Sequence, residues 1–156
     1  MTAMQIRALA PGEPLPVPLL LLADPSEELI LSYIHQSHTF VAEKAGAIVG
    51  VLVLQPQGQL AEIRNVAVDA QHQGQGIGRK LVEFAVAWAR EQSIKQLLVC
   101  TGNSSLPALA LYQRCGFRVA SIDKGYFLRT YPEPIFENGL PCTDRIKLRL
   151  ELQPQP

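Results

Sequence analysis

Along the 156 residues, short stretches that alternate apolar and polar positions give way to longer ones with helical spacing, and their order predicts the architecture. Met4 to Leu9 reads as a short strand, closed by the proline and glycine cluster from Pro11 to Pro18. Two short helices are expected next. The first covers Pro18 to Ala23; the second starts after Asp24, read as its N-cap, with Pro25 in the first helical position and Glu27 and Glu28 in the first turn. Thr39 to Glu43 and Ala47 to Gln55 read as strands joined by Lys44-Ala45-Gly46, and Pro56-Gln57-Gly58 turns the chain into a third, Leu60 to Val68. From Gly76 to Ser93 the apolar residues Ile77, Leu81, Val82, Ala85, Val86, Trp88 and Ala89 recur at helical spacing. A strand from Gln96 to Thr101 precedes a helix from Leu106 to Cys115, with Ser105 as cap and Gly116 as stop. Phe117 to Asp123 and Arg145 to Leu152 read as the last strands, separated by a proline-rich segment from Tyr126 to Pro141. A meander followed by strand, helix, strand and helix predicts one mixed α/β sheet with helices packed on it.

Length and composition narrow this to a single domain over residues 1–156, since the chain is ordinary in its hydrophobic (47%) and charged (18%) content. Fourteen basic residues balance fourteen acidic ones, so a nucleic acid or an anionic membrane is not an expected partner. The longest apolar run, Val17 to Ala23, is far below the roughly 18–20 residues that cross a bilayer, and it lacks the flanks of a secretion signal; a cytoplasmic protein is expected. Cys100, Cys115 and Cys142 have neither disulfide-framework nor zinc spacing, and His35 and His38 have no third ligand, so no metal is expected.

The chemistry is expected in the segment Val66 to Leu81, which runs from a strand through Gln71-His72-Gln73-Gly74-Gln75-Gly76 into a helix. Glycines there allow close approach of the backbone, and the unpaired N–H groups of a helix's first turn form an anion site, with Arg79 and Lys80 adding positive charge. A Walker A loop is excluded because Gly78 leads to Arg79-Lys80-Leu81, with no hydroxyl for magnesium. A dinucleotide fingerprint is disfavoured, because the third glycine comes too early and Ser93-Ile94-Lys95-Gln96 stands where an acid belongs.

Gln71-x-x-Gly74-x-Gly76, followed by Ile77-Gly78 and preceded by Val66-Ala67-Val68, resembles the Q/R-x-x-G-x-G/A signature of the GCN5-related N-acetyltransferase (GNAT) family, and the element order is similar over nearly the whole chain. The resemblance implies a central, mostly antiparallel sheet of about seven strands with a splayed parallel pair and helices on both faces. It implies acetyl-CoA as co-substrate. The backbone of the strand at Val66, Ala67 and Val68 would pair with the pantetheine arm. The N–H groups of Gln73, Gly74, Gln75, Gly76, Ile77, Gly78 and Arg79 would hold the pyrophosphate, and Asn103 the pantetheine amide.

Acetyl transfer to an amine requires a neutral nucleophile, stabilisation of the oxyanion and a proton for the departing thiolate. Tyr112, in Leu111-Tyr112-Gln113-Arg114-Cys115-Gly116-Phe117, resembles the family tyrosine that faces the coenzyme sulfur, which makes it the candidate acid and a cofactor contact. Glu62 is the candidate base, directly or through water. A side-chain period of two would place it on one face with Arg64, Val66 and Val68. Pairing with Arg64 is its structural alternative. Oxyanion stabilisation would fall to the N–H of Val68 or its neighbour if the strand is bulged there.

The resemblance thus implies an N-acetyltransferase acting in a ternary complex. The acceptor is expected to be a small-molecule primary amine, with a protein lysine or N-terminus, or a non-catalytic acetyl-CoA-binding module, as alternatives. A homodimer is left open. Glu133 and Glu137, in the proline-stiffened segment with Tyr131 and Phe136, are the expected wall for a small cationic amine.

Overall fold

In the computed structural model, which describes residues 3–152, the sheet is built by the predicted alternation. The elements are β1 (Met4–Ala8), α1 (Val17–Ala23), α2 (Glu27–Ile34), β2 (His38–Lys44), β3 (Ala47–Gln57), β4 (Leu60–Val68), a single 3-10 turn (Ala70–His72), α3 (Ile77–Glu91), β5 (Gln96–Gly102), α4 (Leu106–Arg114), β6 (Arg118–Asp123), α5 (Tyr126–Thr130), β7 (Phe136–Glu137), β8 (Leu140–Pro141) and β9 (Arg145–Glu151). Seven strands form one sheet in the order β1-β2-β3-β4-β5-β9-β6, and β7 and β8 form a separate hairpin. Every neighbouring pair in the large sheet is antiparallel except β4 and β5.

The helices cover both faces. Leu19 and Leu20 of α1 and Ile30, Tyr33 and Ile34 of α2 pack on Val41, Val51, Val53 and Ala67. Ile77, Leu81, Val82, Ala85 and Ala89 of α3 join Tyr112 of α4 on the opposite face, against Leu52, Leu54, Ala61, Ile63 and Leu97. The helical spacing of α3 thus becomes its buried stripe.

Two irregularities in β4 position the site. Its parallel pairing with β5 runs from Leu60 opposite Gln96 to Ile63 opposite Val99 and stops, although the strands continue to Val68 and Gly102. Beyond Val99, β5 stays paired with β9 instead. The second irregularity is a register shift: Val53 faces Asn65 but Leu54 faces Ile63, so Arg64 is an extra residue on β4.

The bulge corrects the expectation that Glu62, Arg64, Val66 and Val68 share a face. Before it, Ala61 and Ile63 point to the α3 face; after it, Val66 and Val68 pack there, while Ala67 packs on the α1 and α2 face. Asn65 follows Ala67, bonding to Leu20 and Tyr33. Arg64 stacks over the Tyr33 ring at 4.6 Å, so it stands on the α1 and α2 face, apart from Val66 and Val68.

The start of α2 also differs from expectation. Ser26 rather than Asp24 is its N-cap, with the hydroxyl accepting from the Leu29 N–H. Asp24 ends α1 in an extended conformation, as suits a residue before proline, and its carboxylate is turned elsewhere. The proline-rich stretch after Tyr126 contains α5 and the β7–β8 hairpin, neither of which its composition predicted.

Candidate active site

A cavity of about 830 Å3 passes through the sheet where β4 and β5 part. Its lining comes from both faces: Asp24 and Tyr33 on one side, Gly76, Ile77, Gly78, Leu111 and Tyr112 on the other, with Val66, Val68, Cys100 and Thr101 between them.

On the α3 side the wall is mostly main chain. Gly74 and Gly76 have φ of +80° and +82°, a region that L side chains rarely adopt, and a Cβ at either would meet nothing within 4 Å. Backbone conformation therefore favours glycine there, and the space beside it is open. The first i to i−4 bond of α3 joins Lys80 N–H to Gly76 C=O, which leaves the N–H groups of Ile77, Gly78 and Arg79 without a helical partner. No side chain caps this end and no acid lies in its first turn.

The open edge of β4 completes this side. Asp69 N–H donates to Val49 C=O, so by antiparallel alternation Ala67 and Asn65 direct their main-chain groups to β3. Val66 and Val68 then direct theirs into the gap that β5 has left. The Gln73 amide donates to the Val68 carbonyl across 3.1 Å, consistent with that direction. Of the expected backbone contacts, Ala67 is thus the one facing away. The condition of a bulge at Val68 is not met: Val68 sits in register with Gly50, and the bulge lies at Arg64.

Tyr112 is buried on α4, its ring 5.9 Å from that of Phe117, and it lines the cavity. Burial, helped by the nearby Cys100 and Cys115 thiols, pushes its phenol well above the ordinary tyrosine value, so it stays protonated at neutral pH. Glu62 lines the cavity with one carboxylate oxygen 3.9 Å from the Arg64 Nε, the pairing named as its alternative.

The side chains of Gln75, Arg79 and Asn103 stand outside the cavity, whereas the expectation at Gln75 and Arg79 concerns their main-chain N–H groups. Gln75 accepts from Lys44, and the Arg79 side chain points along its helix to Glu83, at 3.9 Å. The Asn103 amide is occupied at both ends: it donates to Pro141 C=O, and its oxygen accepts from the N–H groups of Thr143 and Asp144. Asn103 therefore fixes the entry to β9. None of these three side chains lines the cavity.

On the α1 and α2 side the wall is made of side chains. Arg145 lies over the Tyr126 ring at 4.4 Å. Tyr126 meets Phe127 edge-on at 5.1 Å, and Phe127 stacks on Tyr131 at 5.6 Å. The Tyr131 hydroxyl donates to Asp24 across 2.9 Å, and the Tyr33 hydroxyl reaches the same carboxylate at 3.5 Å. Arg64 over Tyr33 and Glu62 beside Arg64 continue the belt. Burial pushes the Tyr33 phenol up to about 12 and raises that of Tyr131, where the Asp24 carboxylate adds to the effect; both keep their protons as donors.

Of these belt residues the sequence reading names Glu62, its partner Arg64 and Tyr131, and assigns no role to Asp24, Tyr33 or Arg145 in the site. The wall expected from the Tyr126 to Pro141 segment is only partly present. Tyr131 and Glu137 line the cavity, but Glu137 accepts from the Ser105 hydroxyl, Phe136 is exposed, and neither Glu133 nor Phe136 reaches the cavity.

Residues 9–117 match the acetyltransferase (GNAT) family. Among solved structures, the chain is similar to a GNAT family acetyltransferase from Elizabethkingia anophelis with acetyl-CoA bound. The two share 44% sequence identity at a TM-score of 0.93 over 96% of this chain and 98% of that one. It is also similar to the IAA acetyltransferase from Bacillus cereus ATCC 14579, at 47% identity and a TM-score of 0.92 over 96% of this chain and 100% of that one. Among curated proteins, the uncharacterized N-acetyltransferase YvbK of Bacillus subtilis (strain 168) is 42% identical over 135 residues, 86% of this chain and 87% of its own length.

Proposed function

The chain belongs to the acetyltransferase (GNAT) family and is an N-acetyltransferase, and we propose that it moves the acetyl group of acetyl-CoA to the primary amine of a small molecule in a ternary complex. The observation that carries this reading is the cavity through the splayed strands, with free main-chain donors at one end and an aromatic and charged wall at the other. A volume of about 830 Å3 fits the range of small-molecule sites. The relative from Elizabethkingia anophelis has acetyl-CoA bound, which supports the cofactor assignment.

Acetyl-CoA would supply the acyl group as a thioester. The N–H groups of Ile77, Gly78 and Arg79 and the αL glycines suit its pyrophosphate, and the open edge groups of Val66 and Val68 suit the amides of its pantetheine arm. Glu62 takes the proton of the incoming ammonium, directly or through a water molecule, and Arg64 keeps the carboxylate oriented. Free main-chain N–H groups along the splayed edge answer the charge that develops on the carbonyl oxygen. Tyr112 gives its proton to the departing thiolate, a role its raised pKa permits because the phenol is still protonated at neutral pH. The balance is an amide N–C bond formed, a thioester C–S bond broken and two protons lost from nitrogen, one released to solvent through Glu62 and the other restoring to Tyr112 the proton that it gives to sulfur.

The test is thiol release from acetyl-CoA with a panel of amino acids, polyamines, aminoglycosides and short peptides. Amine-dependent release with an N-acetylated product of matching mass is expected from a small member of the panel. Turnover confined to peptides would overturn the small-molecule reading.

A further inference from the structure

The belt on the α1 and α2 side contains one cation whose partners are unlike the rest. Arg64 has a carboxylate, Glu62, and the Gln55 side-chain oxygen at 2.9 Å. Among the described residues Arg145 has no ion pair; its guanidinium lies over the face of Tyr126 and lines the cavity. A guanidinium has five N–H donors in a planar fork that matches a carboxylate, and a ring face satisfies none of them. Position reinforces this. Arg145 opens β9 opposite Gly102, at the end of β5 that borders the splay. The charged groups acting on the half-buried Cys100 thiol between the two ends of the cavity are Arg145, Lys147 and Arg64 against Glu62 alone.

The carboxylates in the wall are placed differently. Asp24 already accepts from Tyr131, Tyr33 and the Ser26 N–H, and Glu137 accepts from Ser105. Glu62 is left as the acceptor for an amine, while Arg145 offers donors for an acid.

We propose that the acceptor is a small amine that also carries a carboxylate, and that Arg145 is the residue that selects it. This rests on the N-acetyltransferase reading and adds the substrate class. The carboxylate replaces water on the Arg145 fork, Tyr126 holds the guanidinium plane from behind, and Phe127 and Tyr131 flank the body of the acceptor. The proposal replaces the purely cationic amine expected from Glu133 and Glu137, which the structure places away from the cavity or in another bond. It also disfavours a protein N-terminus, whose neighbouring carboxyl is an amide.

The experiment compares kcat/KM for matched amines that differ only in the carboxylate: phenylalanine with phenethylamine, tryptophan with tryptamine, lysine with cadaverine, and β-alanine with ethylamine. At least one acid-bearing member should exceed its counterpart by about tenfold or more, because the counterpart leaves the fork unpaired. Arg145→Gln should shrink that ratio to within about twofold, and Arg145→Lys should keep part of it, as expected for a charge without the fork. An unchanged acetyl-CoA melting shift in both variants reports that they are folded. Equal or better use of the counterparts, a ratio that survives Arg145→Gln, or no turnover of any acid-bearing amine would each overturn the proposal. In that last case, acetylation of any other amine leaves the N-acetyltransferase reading standing. Silence with every amine and no acetyl-CoA shift would remove that reading as well.

Discussion

The N-termini of α2 and α3 are finished in opposite ways. At α2 the chain satisfies its own helix: the Ser26 hydroxyl accepts from Leu29 N–H, and Glu27 and Glu28 place negative charge in the first turn. At α3 it supplies none of this. Gly76 stands at the cap with φ of +82°, the first turn has no acid, and Arg79 and Lys80 follow. An isolated helix start of the second kind leaves its donors and its positive dipole end unanswered. The difference is that between a helix end serving stability and one kept open for an anion brought from outside.

Several substitutions break or sharpen this contrast. The largest effect should come from Gly76→Asp, which puts the chain's own carboxylate where the anion of the cofactor is expected. Asp tolerates the left-handed conformation better than most residues, and a negative charge suits a helix start, so the unliganded melting temperature should change little. The melting shift caused by acetyl-CoA should vanish. A preserved shift would separate the glycine loop from cofactor binding.

Next comes Tyr112→Phe, expected to lower kcat roughly tenfold to a thousandfold with the acetyl-CoA shift retained. The pH dependence has a defined sign. The Tyr112 phenol is raised above its ordinary value of 10, so it stays protonated through neutral and mildly alkaline pH and is lost as an acid only above that value. An alkaline fall in kcat below about pH 10 that disappears in Tyr112→Phe would contradict the upward shift of the phenol, and unchanged turnover in Tyr112→Phe would contradict its role as the acid.

Tyr131→Phe should act more mildly. It removes the 2.9 Å bond to Asp24 and loosens one side of the aromatic belt, raising the KM for the amine about three- to tenfold with kcat little changed. Ser26→Ala is the smallest and the counterpart of the first: a lost N-cap should cost about 1 kcal/mol, or roughly 2–4 °C in Tm, and leave the acetyl-CoA shift as it was. Calorimetry with and without acetyl-CoA reads both.

How much of this was legible in the sequence divides along the same line. The α3 end was readable because glycine spacing, strand, turn and helix are local: Gln73 to Gly78 carry their conformation in their residue types. The mixed sheet followed from element order, and its splayed pair from the family resemblance. The other wall was readable only at Tyr131, Glu137 and the Glu62–Arg64 pair, because its members otherwise meet only through packing. Tyr131 reaches Asp24 from 107 residues away, and Arg145 reaches Tyr126 from the far side of a hairpin. Asp24 was misread for a local reason, since it and Ser26 are both good caps and the choice between them depends on where the carboxylate can turn. The bulge at Arg64 depends on the register of β4 against β3, and strict alternation along β4 alone cannot reveal it.

The central claim is that the unfinished start of α3 is a site for the pyrophosphate of acetyl-CoA. The most direct measurement is the melting temperature with acetyl-CoA beside that with S-acetylpantetheine, which has the thioester arm but no pyrophosphate or nucleotide. At about one hundred times its Kd, acetyl-CoA should stabilise the protein by about 2.7 kcal/mol, a shift of roughly 5–10 °C, and acetylpantetheine at the same concentration should give little or none. Equal shifts from the two ligands, or none from acetyl-CoA, would contradict the account.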